Sequence, residues 1–188
     1  NDKYQDQSPF GPDDPLESYF VQKAENNADL PSLNLSRVFV LTTGETCSAS
    51  ELVMNSLRGI DIEVIQIGGT TCGKPYAFAG IENCEWVYFP VQSLEVNAKG
   101  FGDYTDGFTA TGTPTALDQI KGCPLADDLD SPLGSQNEDL LATALHYIDN
   151  NNCNAALATG NAFKPQATPV EYTSGKPAWQ KAMYREMH

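Results

Sequence analysis

Three short stretches decide the fold: RVFVLT at Arg37–Thr42, SASELVMNSLR at Ser48–Arg58 and DIEVIQI at Asp61–Ile67. The first is brief and rich in β-formers, as a buried strand is. The second switches to helical spacing, with Leu52, Val53 and Leu57 on one side, and Gly59 ends it. The third returns to strand. Strand, helix and strand within about 30 residues make a βαβ unit, which predicts a parallel pair of strands joined by a right-handed crossover.

Working outward, Tyr76–Phe78 and Glu85–Val91 read as strands around a turn at Gly80–Asn83, and Leu94–Asn97 as a further strand. Residues 100–135 are rich in Gly, Pro and Asp without a clear period. Such a long unpatterned stretch is predicted to be a functional loop or one braced by Cys123. Gln136–Asn150 has helical spacing, with Leu140, Leu141, Ala144, Leu145 and Ile148 predicted to face inward. Upstream, residues 1–35 are polar and carry Pro9, Pro12, Pro15 and Pro31. A short helix is predicted from Pro15 to Lys23, capped by Asp14. Residues 151–188 form a polar C-terminal extension.

The 188 residues hold 11 Lys and Arg against 25 Asp and Glu, a net charge of −14. Phosphate neutralisation needs clustered cations, so this balance argues against a nucleic-acid partner, and it disfavours anionic lipid. No apolar run approaches the roughly 18 residues of a membrane helix, so no membrane span is expected. Between residues 101 and 140 there are eight acidic residues and one lysine. Calcium is one reading of this segment and a solvated acidic surface the other; no metal and no cofactor is expected.

The five cysteines, Cys47, Cys72, Cys84, Cys123 and Cys153, include no CxxC pair, and with only His146 and His188 they make a poor zinc set. Their number points to an oxidising compartment. The preferred bridges are Cys72–Cys84, across the predicted hairpin, and Cys123–Cys153, from the long loop to the end of a helix. Five reduced thiols are the alternative.

Chemistry concentrates in Thr46-Cys47-Ser48-Ala49-Ser50-Glu51 and in Gly68-Gly69-Thr70-Thr71-Cys72-Gly73-Lys74-Pro75. Four readings compete. Ser48 and Glu51 have the S-x-x-E spacing of a capping box. Gly68-x4-Gly73-Lys74 has most of a phosphate loop, but Pro75 supplies neither hydroxyl nor N–H. Cys47 or Cys72 could be a nucleophile with His146 as base. Ser48 could be a nucleophile with Lys74 as base, which requires a lysine of lowered basicity, buried on a rigid element. At the start of a helix, the Ala49 N–H would face a developing oxyanion.

TCSASELVMNSLRG followed by VIQIGGTTCGKP resembles the active-site signature of the C-terminal processing peptidases, or tail-specific proteases: an S-A-S-E segment opening a helix, then a strand ending in G-x-x-T-x-G-K. RVFVLT and the acidic GFGDYTDGF segment fit an exported bacterial branch of that family, and the resemblance covers roughly residues 36–150. It implies Ser48 as nucleophile, Lys74 as general base, and a crotonase/ClpP-like layered α/β fold of βαβ units with a β-hairpin after the lysine. It also implies a polypeptide substrate and a periplasmic or cell-surface location. Phe78 stands where many members carry a glutamine, which implies a plain Ser–Lys dyad. The glycine-rich strand end that supplies part of the oxyanion hole is not found before Ser48, nor is a peptide-binding domain. Residues 1–35 are therefore expected to be the end of a preceding segment, and residues 36–150 the C-terminal part of a catalytic domain.

On this reading the chain belongs to a serine endopeptidase acting on exported proteins, incomplete in itself. Lys74 takes the Ser48 proton as Oγ attacks a peptide carbonyl, the Ala49 N–H holds part of the oxyanion, and Tyr76 and Phe78 line the substrate groove. The rival reading is a non-catalytic peptide-binding or scaffold module that keeps the fold; a Cys47–Cys72 bridge would lock or redox-gate the site.

Overall fold

A computed structural model describes residues 20–153. Four strands, β1 (Arg37–Thr42), β2 (Glu63–Gly68), β7 (Thr109–Thr111) and β8 (Gln119–Pro124), form one sheet in the order β1-β2-β8-β7. Every neighbouring pair in it is parallel. The βαβ prediction therefore holds for the parallel pair: helix α1 (Ala49–Gly59) joins β1 to β2, and Phe39 aligns with Ile65. Two antiparallel pairs follow Lys74. Strands β3 (Tyr76–Phe78) and β6 (Val91–Leu94) pair with each other, and β4 (Ile81–Asn83) pairs with β5 (Trp86–Tyr88) between them. The last element is helix α2 (Asp139–Asn150).

Strand alternation sends successive side chains to opposite faces, and each face has its own core. Ile65 and Ile67 pack with Cys123, Leu125 and the α2 residues Leu140, Ala144 and Tyr147. Val64 and Ile120 pack on the other side with Met54 of α1 and with Tyr104 and Phe108. The sheet thus lies between the two helices. The Cys123–Cys153 bridge closes the α2 side, and a loop of this size stabilises by about 3–4 kcal/mol.

Several expectations need correction. The stretch read as loop contains β7 and β8, and β8 is an interior strand. Lys121, Gly122 and Pro124 interrupt its β-pattern, yet Gly122 is required: a Cβ there would lie 1.8 Å from Gln66 O on β2. The segment after Lys74 is two nested pairs instead of one hairpin, because the chain turns at Cys84, with φ 58°, beyond the expected turn, and Ile81–Asn83 pairs as β4. Helix α2 begins later than expected, at Asp139, where the Glu138 carboxylate accepts the Leu140 and Leu141 N–H groups at 2.9 Å. Its inward face is Leu140, Thr143, Ala144 and Tyr147, while Leu145 and Ile148 are exposed. On α1, Val53 is exposed, and the buried positions are Glu51, Met54, Asn55 and Gly59. Most of the predicted Pro15–Lys23 helix, and residues 154–188, lie outside the described residues; Phe20–Lys23 are not helical, and Lys23 bridges to Asp29.

Tyr104 is buried, stacks on Phe108 at 4.6 Å, and its hydroxyl has no hydrogen-bond partner. Burial pushes this hydroxyl up to about 12, with the Glu95 and Glu51 carboxylates adding to the shift. A pKa raised in the folded state gives stability that is complete below the ordinary value of about 10 and is lost as pH rises through the folded value. The denaturant midpoint is expected to fall between about pH 10 and pH 12. Tyr104→Phe should remove that slope, and a slope unchanged in this variant would refute the assignment.

Candidate active site

The parallel strands end together at Thr42, Gly68 and Pro124, and ligands of open parallel sheets bind beyond such carboxyl ends. At this end, buried Gln66 donates from Nε2 to Thr42 Oγ1, Gly69 O and Phe108 O at 2.9–3.0 Å. The Thr42 hydroxyl donates to Gly69 O at 2.7 Å. Gln66 thereby fixes the ends of β1 and β2 against the Phe108 loop.

Ser48 lies where the chain leaves β1 and enters α1. Its predicted capping box with Glu51 is present. Glu51 Oε2 accepts the Ser48 N–H at 2.9 Å, while the Ser48 hydroxyl faces the Glu51 N–H without closing a cap hydrogen bond. Capping alone does not explain the backbone. An N-cap ordinarily adopts β-region angles, as Glu138 does at φ −71°, ψ 129°. Ser48 instead has φ 53°, ψ −112°, a region that costs an L-residue about 1–3 kcal/mol and persists only where the surroundings impose it. A sharp, strained turn from strand to helix is the backbone that presents a nucleophilic serine.

One group that holds this turn is Glu51, which is fully buried. Besides Ser48 N–H, its carboxylate accepts Thr71 Oγ1 at 2.5 Å, Gly73 N–H at 2.7 Å and Lys74 N–H at 2.8 Å. Ser48 N and Lys74 N therefore donate to the same oxygen, Oε2. One carboxylate joins the two motif halves, reaching partners 20 to 23 residues further along the chain. Thr71 extends the network by accepting the Phe108 N–H at 2.7 Å. Gly73 has φ 80°, and a Cβ there would sit 2.1 Å from Thr105 O; no other residue fits this turn. Spacing marked Glu51 only as a cap. Its four-donor role was hidden because three of its partners come from the distant Thr71–Lys74 loop.

Cys47 and Cys72 are bridged, with Cα atoms 5.3 Å apart, and the Cys72 N–H donates to Thr46 O at 3.0 Å. This replaces the expected Cys72–Cys84 pair. Cys84 is free and exposed at the β4–β5 turn, while Glu51 holds the Cys72 loop beside Cys47. The expected Cys123–Cys153 bridge is present. A bridged Cys47 or Cys72 is not a thiolate nucleophile, and His146 is engaged with Asn150 and Asn152 at the end of α2. The phosphate-loop reading also lacks its helix, since β3 follows Pro75.

Lys74 is exposed, not buried as its proposed role predicts, with Nζ 5.6 Å from the centre of the Phe78 ring. Glu51 fixes its backbone but leaves the side chain pointing outward, and no hydrogen bond joins Nζ to Ser48 Oγ among the described residues. Ala49 opens α1, and its N–H has no hydrogen-bond partner among the described residues. Tyr76 and Phe78 are exposed next to Lys74, with Trp86, Tyr88, Phe89 and Val91 also exposed on the same excursion. Among the described residues there is no cluster of three or more metal-ligating side chains and no helix long and apolar enough to cross a membrane.

No protein-family model and no curated protein matches the chain. Among solved structures it is similar to a protein of Bacteroides fragilis NCTC 9343 described as a "Putative S41 protease", with 31% identity and a TM-score of 0.51. The match covers 64% of this chain and 29% of that one, so the chain spans less than a third of its neighbour's length. The likeness supports an S41 peptidase-like α/β fold.

Proposed function

We propose that this chain carries the Ser–Lys part of a serine endopeptidase site, with Ser48 as nucleophile and Lys74 as general base. The observation that carries the reading is the Glu51 carboxylate, which holds the strained Ser48 turn and the Lys74 backbone on one oxygen atom. In the reaction, the unprotonated Lys74 amine takes the Ser48 proton as Oγ attacks the peptide carbonyl, and the Ala49 N–H donates to the oxyanion. The lysine then protonates the leaving amine and activates the water that resolves the acyl-enzyme. An extended polypeptide lying across Tyr76 and Phe78 covers Lys74 and excludes water from the amine, which is exposed in the free chain. The reading extends to a crotonase/ClpP-like layering, to residues 36–150 as part of a catalytic domain, and to exported proteins or their C-terminal tails as substrates. Two disulfides suit a periplasmic or cell-surface setting.

A fluorophosphonate probe applied to the full-length protein is the direct test. Labelling is expected at Ser48, located by peptide mapping. Exposed Lys74, without a hydrogen bond to Ser48, favours the second reading, a non-catalytic peptide-binding module. An unlabelled protein that still binds an unfolded polypeptide would establish that reading and reject the first.

A further inference from the structure

The two disulfides occupy different environments. Cys123 is 2% exposed and packs with Cys153 in the α2 core, whereas Cys72 is exposed and Cys47 half-buried. Cys47 immediately precedes Ser48, and Cys72 immediately precedes Gly73-Lys74. The accessible bridge is thus the one that ties the nucleophile turn to the lysine loop, and the inaccessible bridge closes the core.

We propose that Cys47–Cys72 is a thiol–disulfide exchange site that controls the serine: bridged, it keeps the Ser48 turn reactive; reduced by a dithiol protein of the thioredoxin class, it lets the turn relax. The proposal rests on Ser48 being the nucleophile. The sign follows from the backbone. Ser48 at φ 53°, ψ −112° is restrained through its N–H by Glu51, through its C=O by the Leu52 N–H at 2.8 Å, and through the preceding residue by the bridge. A strained residue relaxes when the surroundings cease to over-determine it. The Glu51 bonds to Thr71, Gly73 and Lys74, and the Gln66 bonds at the sheet end, are made without either sulfur, although Cys72 Sγ lies 3.9 Å from Glu51 Oε2. Reduction therefore alters the presentation of one hydroxyl and leaves the fold standing.

In the exchange, a reductant thiolate attacks Sγ of Cys72, the more exposed of the two residues, the Sγ–Sγ bond breaks, and Cys47 leaves as a thiolate that takes a proton. The second reductant thiolate attacks the mixed disulfide, frees Cys72 as a thiol, and leaves the reductant as a disulfide. Two electrons and two protons have passed to the chain.

The test uses the oxidised full-length protein, thioredoxin as reductant, thiol alkylation with peptide mapping, and the rate of fluorophosphonate labelling at Ser48. The expected result is alkylation of Cys47 and Cys72 while Cys123–Cys153 stays bridged. Labelling should slow by on the order of tenfold or more, recover on reoxidation, and do so with an unchanged far-ultraviolet circular dichroism spectrum. The Cys47→Ala/Cys72→Ala double variant should match the reduced protein. Equal or faster labelling after reduction, or prior opening of Cys123–Cys153, overturns the proposal while leaving Ser48 as nucleophile. Absence of labelling in both states rejects the peptidase reading and this proposal with it.

Discussion

Ser48→Ala is expected to lower peptidase turnover by about 10⁴-fold or more, and Lys74→Ala to do the same, because members of a catalytic unit fail together. Neither change should unfold the protein. Lys74 is exposed and keeps its backbone bond to Glu51, and the Ser48 N–H bond to Glu51 is likewise a backbone bond. Peptidase activity surviving either substitution would reject the assignment. The strain at Ser48 supplies a second reading of the same position. Glycine adopts φ 53° without the steric penalty that alanine meets, so Ser48→Gly should be more stable than Ser48→Ala by about 1 kcal/mol. Equal unfolding midpoints would mean that the turn stores no strain. A more stable glycine variant without activity would show that the serine is kept at this angle for its chemistry.

The parts of the molecule legible in the sequence are those whose pattern is local. RVFVLT and DIEVIQI announce strands, and the spacing between them fixes their parallel pairing; only the second is buried, because β1 is the edge of the sheet, half-covered and with Leu41 exposed. The S-x-x-E spacing places Glu51 at the helix start, and the two motif halves, Ser48–Glu51 and Gly68–Lys74, are visible as pattern. What pattern cannot carry is a partner chosen in three dimensions. Strand β8 has Gly122 at its centre because β2 passes too close for a side chain, and glycine reads as loop. Cys72 chose Cys47 over Cys84 because a buried carboxylate brings the Thr71–Lys74 loop to α1, an event without trace in cysteine spacing. The buried positions of α1 are hard to read for a related reason. Glu51 and Asn55 are polar and yet fully buried, Asn55 donating from Nδ2 to Phe101 O at 2.7 Å. Polarity counts as outward-facing until the partner that satisfies it is known.

Glu51→Gln keeps the size and shape of the side chain and changes only one oxygen to an amide nitrogen, so its effect isolates the carboxylate. Both oxygens now accept two donors each: Thr71 Oγ1 and Gly73 N–H on one, Ser48 N–H and Lys74 N–H on the other. A glutamine offers one acceptor; with its NH₂ toward Ser48 and Lys74 it faces two N–H donors, and with its NH₂ toward Thr71 and Gly73 it faces one, because the Thr71 hydroxyl can turn and accept. Two charge-assisted bonds are lost and at least one backbone donor is left unpaired at a buried site, an expected loss of about 3–5 kcal/mol from the unfolding free energy. That is a large part of the roughly 5–15 kcal/mol of a typical domain. Where the variant remains folded, Ser48 and Lys74 lose their common anchor, so labelling at Ser48 should fall although the proposed nucleophile and base are still present. The deficit should appear in kcat more than in KM, since Tyr76 and Phe78 are untouched. Denaturant unfolding checks the first effect and fluorophosphonate labelling below the melting temperature the second. A variant within about 1 kcal/mol of the parent, labelled at the parent's rate, would show that the two loops are held together by something other than this carboxylate.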